Sequence, residues 1–279
     1  MLKIGEMNEL EIVREVEFGL YLDGGDFGDI LIPGRYVPQG WKIGDILSVF
    51  VYTDSEDRLI ATTEVPLAMV GEFACLQVVS TTSIGAFLDW GLPKDLLLPL
   101  GEMKHPVNPG QTCIVFIFLD ETTGRVAASA RLNQHLDKTP PTYEEGEPVD
   151  LLITNQTDLG YRAIINNAHW GVLFKSDLAG LLEIGSTIKG FVKRIRPDGK
   201  IDLVARKFDF KVVTDFLDVI MAKLESSGGF LPLTDKTDPA YIYQMFGVSK
   251  KVFKKAVGAL YKKRLIMIEE TGIRKVAAK

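Results

Sequence analysis

Hydrophobic positions up to about residue 205 fall in short runs such as LEIVREV, DILSVFVY and TCIVFIFL. These runs are rich in β-branched and aromatic residues, and turns of Gly, Asp, Asn and Pro separate them, which is typical of short β-strands. From Lys211 the spacing becomes helical, with apolar residues at Val213, Phe216, Leu217, Ile220 and Leu224. The pattern therefore predicts a long β region followed by a domain that contains helices.

The β region repeats itself. Residues 85–99, GAFLDWGLPKDLLLP, align without a gap on residues 19–33, GLYLDGGDFGDILIP, with seven identities in fifteen positions. A weaker third copy starts at Gly160, and in each copy a second glycine follows 25 residues after the first, at Gly44, Gly110 and Gly185. Each copy reads as five short strands, and closing them into a barrel removes the exposed sheet edges. We predict three tandem five-stranded barrels.

The domain boundaries follow from the repeat and from composition. We expect barrels at residues 1–64, 65–133 and 148–208, with a linker at residues 134–147 that contains HLDKTPPTYEEGE. Residues 211–279 read as helix, helix, turn, helix and hairpin, with Ser249 capping the last helix and Thr271-Gly272 at the hairpin turn. This order is typical of a winged helix, so the fold class is mainly β with a C-terminal α+β domain.

The order of elements resembles the S-one type of OB-fold, the RNA-binding domain named after a ribosomal protein. The resemblance is carried by FGLYLD from Phe18, IGAFLDW from Ile84, Gly44-Asp45, and the motif RPDGKIDLVAR of the third copy. The whole arrangement of three barrels and a helical C-terminus resembles the conserved virulence factor B family of bacterial RNA-binding regulators. That resemblance implies a role in post-transcriptional regulation of gene expression.

Charge is distributed unevenly along the chain. Residues 1–146 carry 10 basic and 22 acidic residues, residues 147–210 carry 9 and 8, and residues 211–279 carry 13 and 7. The net charges are therefore -12, +1 and +6. A polyanion would meet the C-terminal half more readily, whereas the acidic N-terminal barrels suit spacer or protein-docking roles.

OB-folds bind single strands by stacking bases on aromatic side chains and by running the backbone along basic residues. The S-one pattern places stacking aromatics at Phe18 and Tyr21 of the first copy, while the second keeps Phe87 and Trp90 but has Ile84 in place of the first aromatic. The second copy also has Leu98-Pro99 where this domain type often has a histidine. In the third copy aromatic and basic candidates coincide: Tyr161, Arg162, His169, Trp170, Phe174, Lys193, Arg194, Arg196 and Lys200.

The last helix of the winged-helix domain carries six lysines within residues 250–263. We expect Lys250, Lys251, Lys254 and Lys255 to contact nucleic acid. Because no Asn, Gln or Arg precedes Arg264 on this helix to read base edges, the pattern predicts salt-sensitive binding with little sequence preference. A solvated helix face of a protein-docking domain is the alternative.

Other classes of function find no support in the sequence. Cys75, Cys113 and the scattered histidines lack metal-site spacing, and no nucleophile with its base or phosphate loop is evident. Asp23 and Asp89 are interpreted as turn-capping residues. We therefore expect no catalysis, no metal and no cofactor. Without an apolar run of membrane-spanning length or a signal peptide, we also expect no membrane association and a cytoplasmic location.

Three hypotheses remain. The first is a single-stranded RNA-binding regulator whose site combines the third barrel and the winged helix. The second is a DNA-binding transcription regulator that uses the winged helix on a duplex. The third is an adaptor that docks protein partners on its acidic N-terminal barrels.

Overall fold

The computed structural model describes residues 1–178, 180–205, 210–248 and 250–276, with the side chains of residues 210–215 outside the description. The chain divides into two compact units, Met1–Lys138 and Thr139–Lys279. This division falls within the predicted linker. The described part contains three closed five-stranded barrels and a small C-terminal sheet with helices. The predicted fold class is confirmed.

The three barrels share one cyclic strand order, 1-2-3-5-4 within each barrel. The first consists of β1 Met7–Val16, β2 Gly19–Asp23, β3 Asp29–Pro33, β4 Ile46–Thr53 and β5 Leu59–Thr62. The second consists of β6 Phe73–Thr81, β7 Gly85–Asp89, β8 Leu96–Pro99, β9 Thr112–Asp120 and β10 Arg125–Ser129. The third consists of β11 Pro148–Gln156, β12 Gly160–Ile165, β13 His169–Phe174, β14 Thr187–Ile195 and β15 Ile201–Val204.

The second glycine of each copy belongs to a shared turn. Gly44, Gly110 and Gly185 have φ values of 94°, 84° and 89°, a region that a side chain disfavours. Their amides donate to the carbonyl oxygens of Ile12, Val78 and Ile153 over 2.9, 2.8 and 2.7 Å. In the first strand of each barrel, the pairing register shifts directly after the acceptor residue, which is Ile12, Val78 or Ile153. The fixed offset therefore places a glycine turn beside the bulge that bends each barrel.

The first glycine of each copy permits a close approach of two strands. A Cβ atom at Gly19, Gly85 or Gly160 would lie only 2.1, 2.2 or 1.9 Å from a carbonyl oxygen of the next strand. Only glycine leaves that space free. The constant spacing of 25 residues between the two glycines of each copy thus reflects barrel geometry.

Aspartates in the repeated loop make turns, as predicted. The Oδ1 atom of Asp23 accepts from the amide of Gly25 over 2.8 Å, and Oδ1 of Asp89 accepts from Gly91 over 2.9 Å. Both are local carboxylate turns at strand ends. The stretch GLYLDGGDFGDILIP is therefore barrel framework.

The hydrophobic core of the second barrel extends into the first barrel, which also has a core of its own. Phe50 and Tyr52 of β4 pack edge-on against Trp90, with ring centroids 5.6 and 6.2 Å apart, and Trp90 is only 2% exposed. Lys94 donates its Nζ protons to the carbonyl oxygens of Thr53 and Asp54 over 2.8 and 2.7 Å. Burial lowers the pKa of Lys94. These contacts join the two barrels of the first unit.

The predicted linker is anchored at its start by α1, Leu132–His135. The His135 ring stacks on Phe116 with centroids 4.3 Å apart, and Leu136 is buried. Burial lowers the pKa of His135, whose Nε2 atom is buried without a hydrogen-bond partner in the described part of the chain. The start of the linker region therefore packs against the second barrel.

The C-terminal domain has the predicted order of helices and hairpin. It contains α2 Phe210–Ser226, β16 Phe230–Leu231, α3 Pro239–Phe246, α4 Lys250–Lys262, β17 Ile266–Glu269 and β18 Gly272–Lys275. Phe216, Leu217, Ile220 and Leu224 of α2 pack on the apolar stripe of α4. The predicted core position Val213 and the predicted cap Ser249 lie outside the described side chains and residues.

Candidate nucleic-acid interface

One outer face of the third barrel brings together predicted aromatic and basic residues. Along the paired strands, Arg162 lies opposite Val172, and Val172 lies opposite Asp202. The Arg162 guanidinium lies 4.0 Å from the centroid of Trp170, and that of Arg196 lies 5.6 Å from the centroid of Phe174. Both aromatic side chains are half-buried. The face therefore alternates flat rings with planar cations, the combination on which bases stack.

Two of these arginines are held by one buried carboxylate. Asp202 is 2% exposed and accepts hydrogen bonds from Arg194 and Arg196, with closest N–O distances of 2.8 and 2.6 Å. Burial alone would raise the pKa of Asp202, but the hydrogen bonds from Arg196 and Arg194 outweigh it and lower the pKa. Two cations on one anion leave a local charge of +1. Asp202 thus holds both arginine side chains in place, and the cluster keeps a net positive charge.

A second carboxylate bridges the barrel and the winged helix. The 3-10 turn Lys175–Asp177 follows β13, and the Asp177 carboxylate accepts from Lys193 of β14 over 2.6 Å and from Lys251 of α4 over 3.0 Å. Burial would raise the pKa of Asp177, yet the hydrogen bonds from Lys193 and Lys251 lower it. The hydrogen bond to Asp177 raises the pKa of Lys251. Lys251 therefore remains protonated at neutral pH.

Beside this bridge lies a groove of about 910 Å³ between the third barrel and the winged helix. Its basic lining residues are Lys175, Lys250, Lys251, Lys254 and Lys255. Leu181 and Tyr243 contribute exposed apolar and aromatic surface to the same groove. A groove with lysines along it and a ring in its wall suits a single nucleic-acid strand.

The first lysine of α4 is positioned by the backbone before the helix. Lys250 donates its Nζ proton to the carbonyl oxygen of Thr237 over 2.8 Å. Lys254 and Lys255 are exposed one turn further along. All four predicted helix lysines therefore line one groove, and they share it with the third barrel.

The predicted stacking role of Tyr161 is wrong. Its side chain is 2% exposed within the barrel core, and its hydroxyl accepts from the amide of Leu182 over 3.3 Å. The register explains this, because Tyr161 follows its glycine as buried Leu20 and Ala86 follow theirs. In all three copies the outward position is the next one, occupied by Tyr21, Phe87 and Arg162.

His169 has a structural partner set. Its Nδ1 atom lies 3.0 Å from the Tyr143 hydroxyl, and its Nε2 atom lies 3.1 Å from the carbonyl oxygen of Thr139. Both ring nitrogens thus contact the chain segment before the third barrel. A hydrogen bond from the His169 ring to a base would require breaking one of these hydrogen bonds.

Lys200 lies at the turn between β14 and β15. It forms an ion pair with Asp198 over 2.9 Å, and both side chains are largely exposed. Such a pair is weak and leaves the ammonium accessible.

The first two barrels offer less complete faces. Phe18 is 61% exposed, and Tyr21 lies 4.1 Å beneath the guanidinium of Arg14, which also pairs with Asp29 over 3.1 Å. In the second barrel Phe87 is half-buried. The predicted stacking role of Trp90 is wrong because the ring fills the shared core.

Sequence reasoning missed four residues of this interface. Lys175 and Tyr243 line the groove, Asp177 holds Lys251 of the groove, and Asp202 holds the arginines of the barrel face. Asp202 has a signal, since it interrupts the apolar strand IDLV. Asp177 has none, because its partners come from elements distant along the chain.

The described residues contain no group of three His, Cys, Asp or Glu side chains arranged to hold a metal ion. Within the same part of the chain, no helix is both long and apolar enough to cross a membrane.

Comparison with known protein families identifies the domains. Residues 218–274 match the CvfB-like winged helix domain, and residues 4–64 and 70–130 each match the S1 domain, which is the S-one type predicted above. The fold and the site therefore define a protein of tandem S1-type barrels and a winged helix. Both are classes of nucleic-acid-binding domain, and neither is an enzyme class.

Relatives extend this match over nearly the whole chain. The Bacillus subtilis (strain 168) protein "Uncharacterized protein YitL" is 27% identical over 92% of this chain and 89% of its own length. "Conserved virulence factor B" of Staphylococcus epidermidis (strain ATCC 12228) is 25% identical over 95% of this chain and 92% of its own length. The domain matches and these relatives, which cover about nine tenths of the chain, confirm the predicted resemblance to the conserved virulence factor B family.

One solved structure aligns with nearly the whole of this chain. It is a multidomain protein with nucleic acid binding domains from Streptococcus pneumoniae, 22% identical, which covers 98% of both chains with a TM-score of 0.43.

Proposed function

We propose that this protein binds single-stranded RNA through the outer face of the third barrel and the adjoining groove of the winged helix. The observation that carries the proposal is the shared groove, because lysines of α4 and residues of the third barrel line it together. The barrel face adds Trp170 and Phe174, each beside an arginine. This is the pairing of stacking surface and backbone charge that single-strand binding requires.

The geometry favours a single strand over a duplex. In helix-turn-helix proteins the N-terminal residues of the recognition helix contact base edges in the major groove. Here Lys250 and Lys251, at the start of α4, contact Thr237 and Asp177 and face the third barrel. The start of the helix therefore faces the third barrel across the groove, an arrangement that suits a single strand better than a duplex.

We further propose that the bound RNA is a regulatory target and that the protein acts in post-transcriptional regulation. Similarity to the conserved virulence factor B family supports this part of the proposal. Protein partners of the acidic first unit remain a separate prediction, since the excess of acidic residues there disfavours a phosphate backbone.

The test is fluorescence anisotropy of the full chain with labelled single-stranded RNA, single-stranded DNA and duplex DNA of equal length, across a salt series. We expect RNA to bind most tightly and log K to fall linearly with log salt. Lys254→Ala should weaken all binding and reduce the slope by about 0.7, the value for one contact to a single strand. Tighter binding of the duplex would replace this proposal with the DNA-regulator hypothesis.

A matched control separates the groove from general positive charge. Lys262→Ala removes an exposed lysine from the far end of the same helix, outside the groove-lining set. Its salt slope should stay close to that of the wild type. Equal losses from Lys254→Ala and Lys262→Ala would show a diffuse electrostatic attraction instead of a site.

A further inference from the structure

The carboxylate of Asp177 is placed where two domains meet. Its side chain is 2% exposed, with Oδ2 2.6 Å from the Lys193 ammonium of the third barrel and Oδ1 3.0 Å from the Lys251 ammonium of α4. One anion thus links β14, the turn after β13 and the lysine-rich helix. By contrast, the exposed ion pair of Lys200 with Asp198 lies within one turn of the third barrel.

The bridge also borders the proposed RNA groove. Lys175 and Ser176 of the Asp177 turn line that groove from the barrel, and Lys250 and Lys251 line it from α4. The separation of the two walls therefore depends on the Asp177–Lys251 contact. A change in this contact would move one half of the groove relative to the other.

The physical chemistry makes this a firm link. A buried carboxylate that loses its cations is strongly disfavoured, because the Coulomb attraction no longer offsets desolvation. Both Asp177 oxygens are occupied, and the pKa of the group is lowered despite its burial. The anion persists across the neutral pH range and holds both lysines at once.

We propose that Asp177 is a positioning residue that fixes the winged helix against the third barrel, so that both halves of the groove engage one RNA strand as a single site. This inference rests on the proposed function. Without the bridge, the two halves act as linked but independent sites. A strand long enough to reach both then gains less from the second contact than it does in a preformed groove.

The experiment compares Asp177→Asn with the wild type in the full chain, using polyuridine RNAs of about 5 and about 16 nucleotides, lengths near the two ends of the range of OB-fold site sizes. We expect the long RNA to bind about tenfold more weakly to the variant, while affinity for the short RNA changes less than about twofold or increases as two lysines are released. Asp177→Glu keeps the carboxylate and should restore part of the preference for the long RNA.

Asp198→Asn is the matched control. It removes one negative charge from the same barrel, at an exposed pair with Lys200. It should change binding of both lengths by the same factor. If Asp177→Asn also changes both lengths equally, Asp177 acts only through net charge or stability, and the inference fails.

Calorimetry tests the link without RNA. We expect the number of unfolding transitions to increase in Asp177→Asn, because the winged helix and the third barrel no longer unfold together. An unchanged profile in a folded variant would overturn the inference. If the wild type binds no RNA, the proposed function fails, and the calorimetric result alone decides whether Asp177 couples the domains.

Discussion

Two tryptophans in tandem barrels of one chain have opposite environments. Trp90, after β7 of the second barrel, is 2% exposed and packs on Phe50 and Tyr52 of the first barrel. Trp170, on β13 of the third barrel, is half-buried under the guanidinium of Arg162. Trp90 packs the second barrel against the first, whereas Trp170 lies at the surface of the third barrel. A repeated fold therefore does not imply a repeated site.

The largest expected effect concerns Trp90. Trp90→Ala should lower the free energy of unfolding by about 3–5 kcal/mol, because it opens a cavity in the core shared by two barrels. Trp170→Ala should cost under about 1 kcal/mol, as expected for a surface residue. Urea unfolding followed by circular dichroism measures both. Similar losses in the two variants would contradict the contrast between core and surface.

Asp202 holds Arg194 and Arg196 on the barrel face that also carries Trp170. Asp202→Asn should lower the free energy of unfolding by about 2 kcal/mol, which is below the usual range for a broken buried pair because Arg194 lies largely in water. Asp198→Asn, at an exposed pair, should cause no measurable loss.

The same variant has an expected pH dependence. The pKa of Asp202 is lowered in the folded state, so its contribution is complete above the unfolded value of about 3.9 and disappears as the pH falls through the folded value. The difference between wild type and Asp202→Asn should therefore shrink in acid. Urea unfolding between pH 7 and about pH 3 measures this, and a difference that grows in acid would contradict the assignment.

The contrast between the first and third barrels should appear in RNA affinity. Trp170→Ala should weaken binding of single-stranded RNA about tenfold, since one stacked base is worth about 1–3 kcal/mol. Tyr21→Ala, at the outward position of the acidic first barrel, should weaken it less than about threefold. Anisotropy titrations at one salt concentration compare them. A larger loss at Tyr21 would move the main site to the first barrel.

The smallest effect concerns His135, which stacks on Phe116 at the end of the first unit. Its pKa is lowered by burial, so the unfolded chain binds a proton more readily, and the free energy of unfolding should fall as the pH drops below about 6.5. The change should be small, because a single partly buried ring is involved. His135→Phe should remove this dependence between pH 7 and 5, and its persistence would assign the effect to another group.

Much of the fold was readable because barrel geometry requires particular residues at fixed offsets. Gly19, Gly85 and Gly160 have no room for a Cβ atom, and Gly44, Gly110 and Gly185 make a turn that favours glycine. These requirements survive when other positions diverge. The winged helix was readable from the apolar stripe of α4.

The site was readable only in part. Strand alternation, applied across the three copies, places Tyr161 inside the barrel and Arg162 outside it, but Tyr161 was predicted as a stacking residue. The partners of Asp177 depend on how α4 packs against the third barrel, which no local pattern encodes. Several basic residues predicted as phosphate contacts are therefore also structural, because buried aspartates hold them.

The core formed by Phe50, Tyr52 and Trp90 has a consequence for modularity. The repeat in the sequence corresponds to one barrel. The apolar contact between the first and second barrels, however, is buried only when both barrels are present. A cut near residue 64 would expose Phe50, now fully buried, and leave the Lys94 ammonium without the carbonyl oxygens that hold it. Recombination or gene dissection that respects the repeat boundary would thus produce two incomplete pieces. The smallest transferable part of the N-terminal region is the two barrels together.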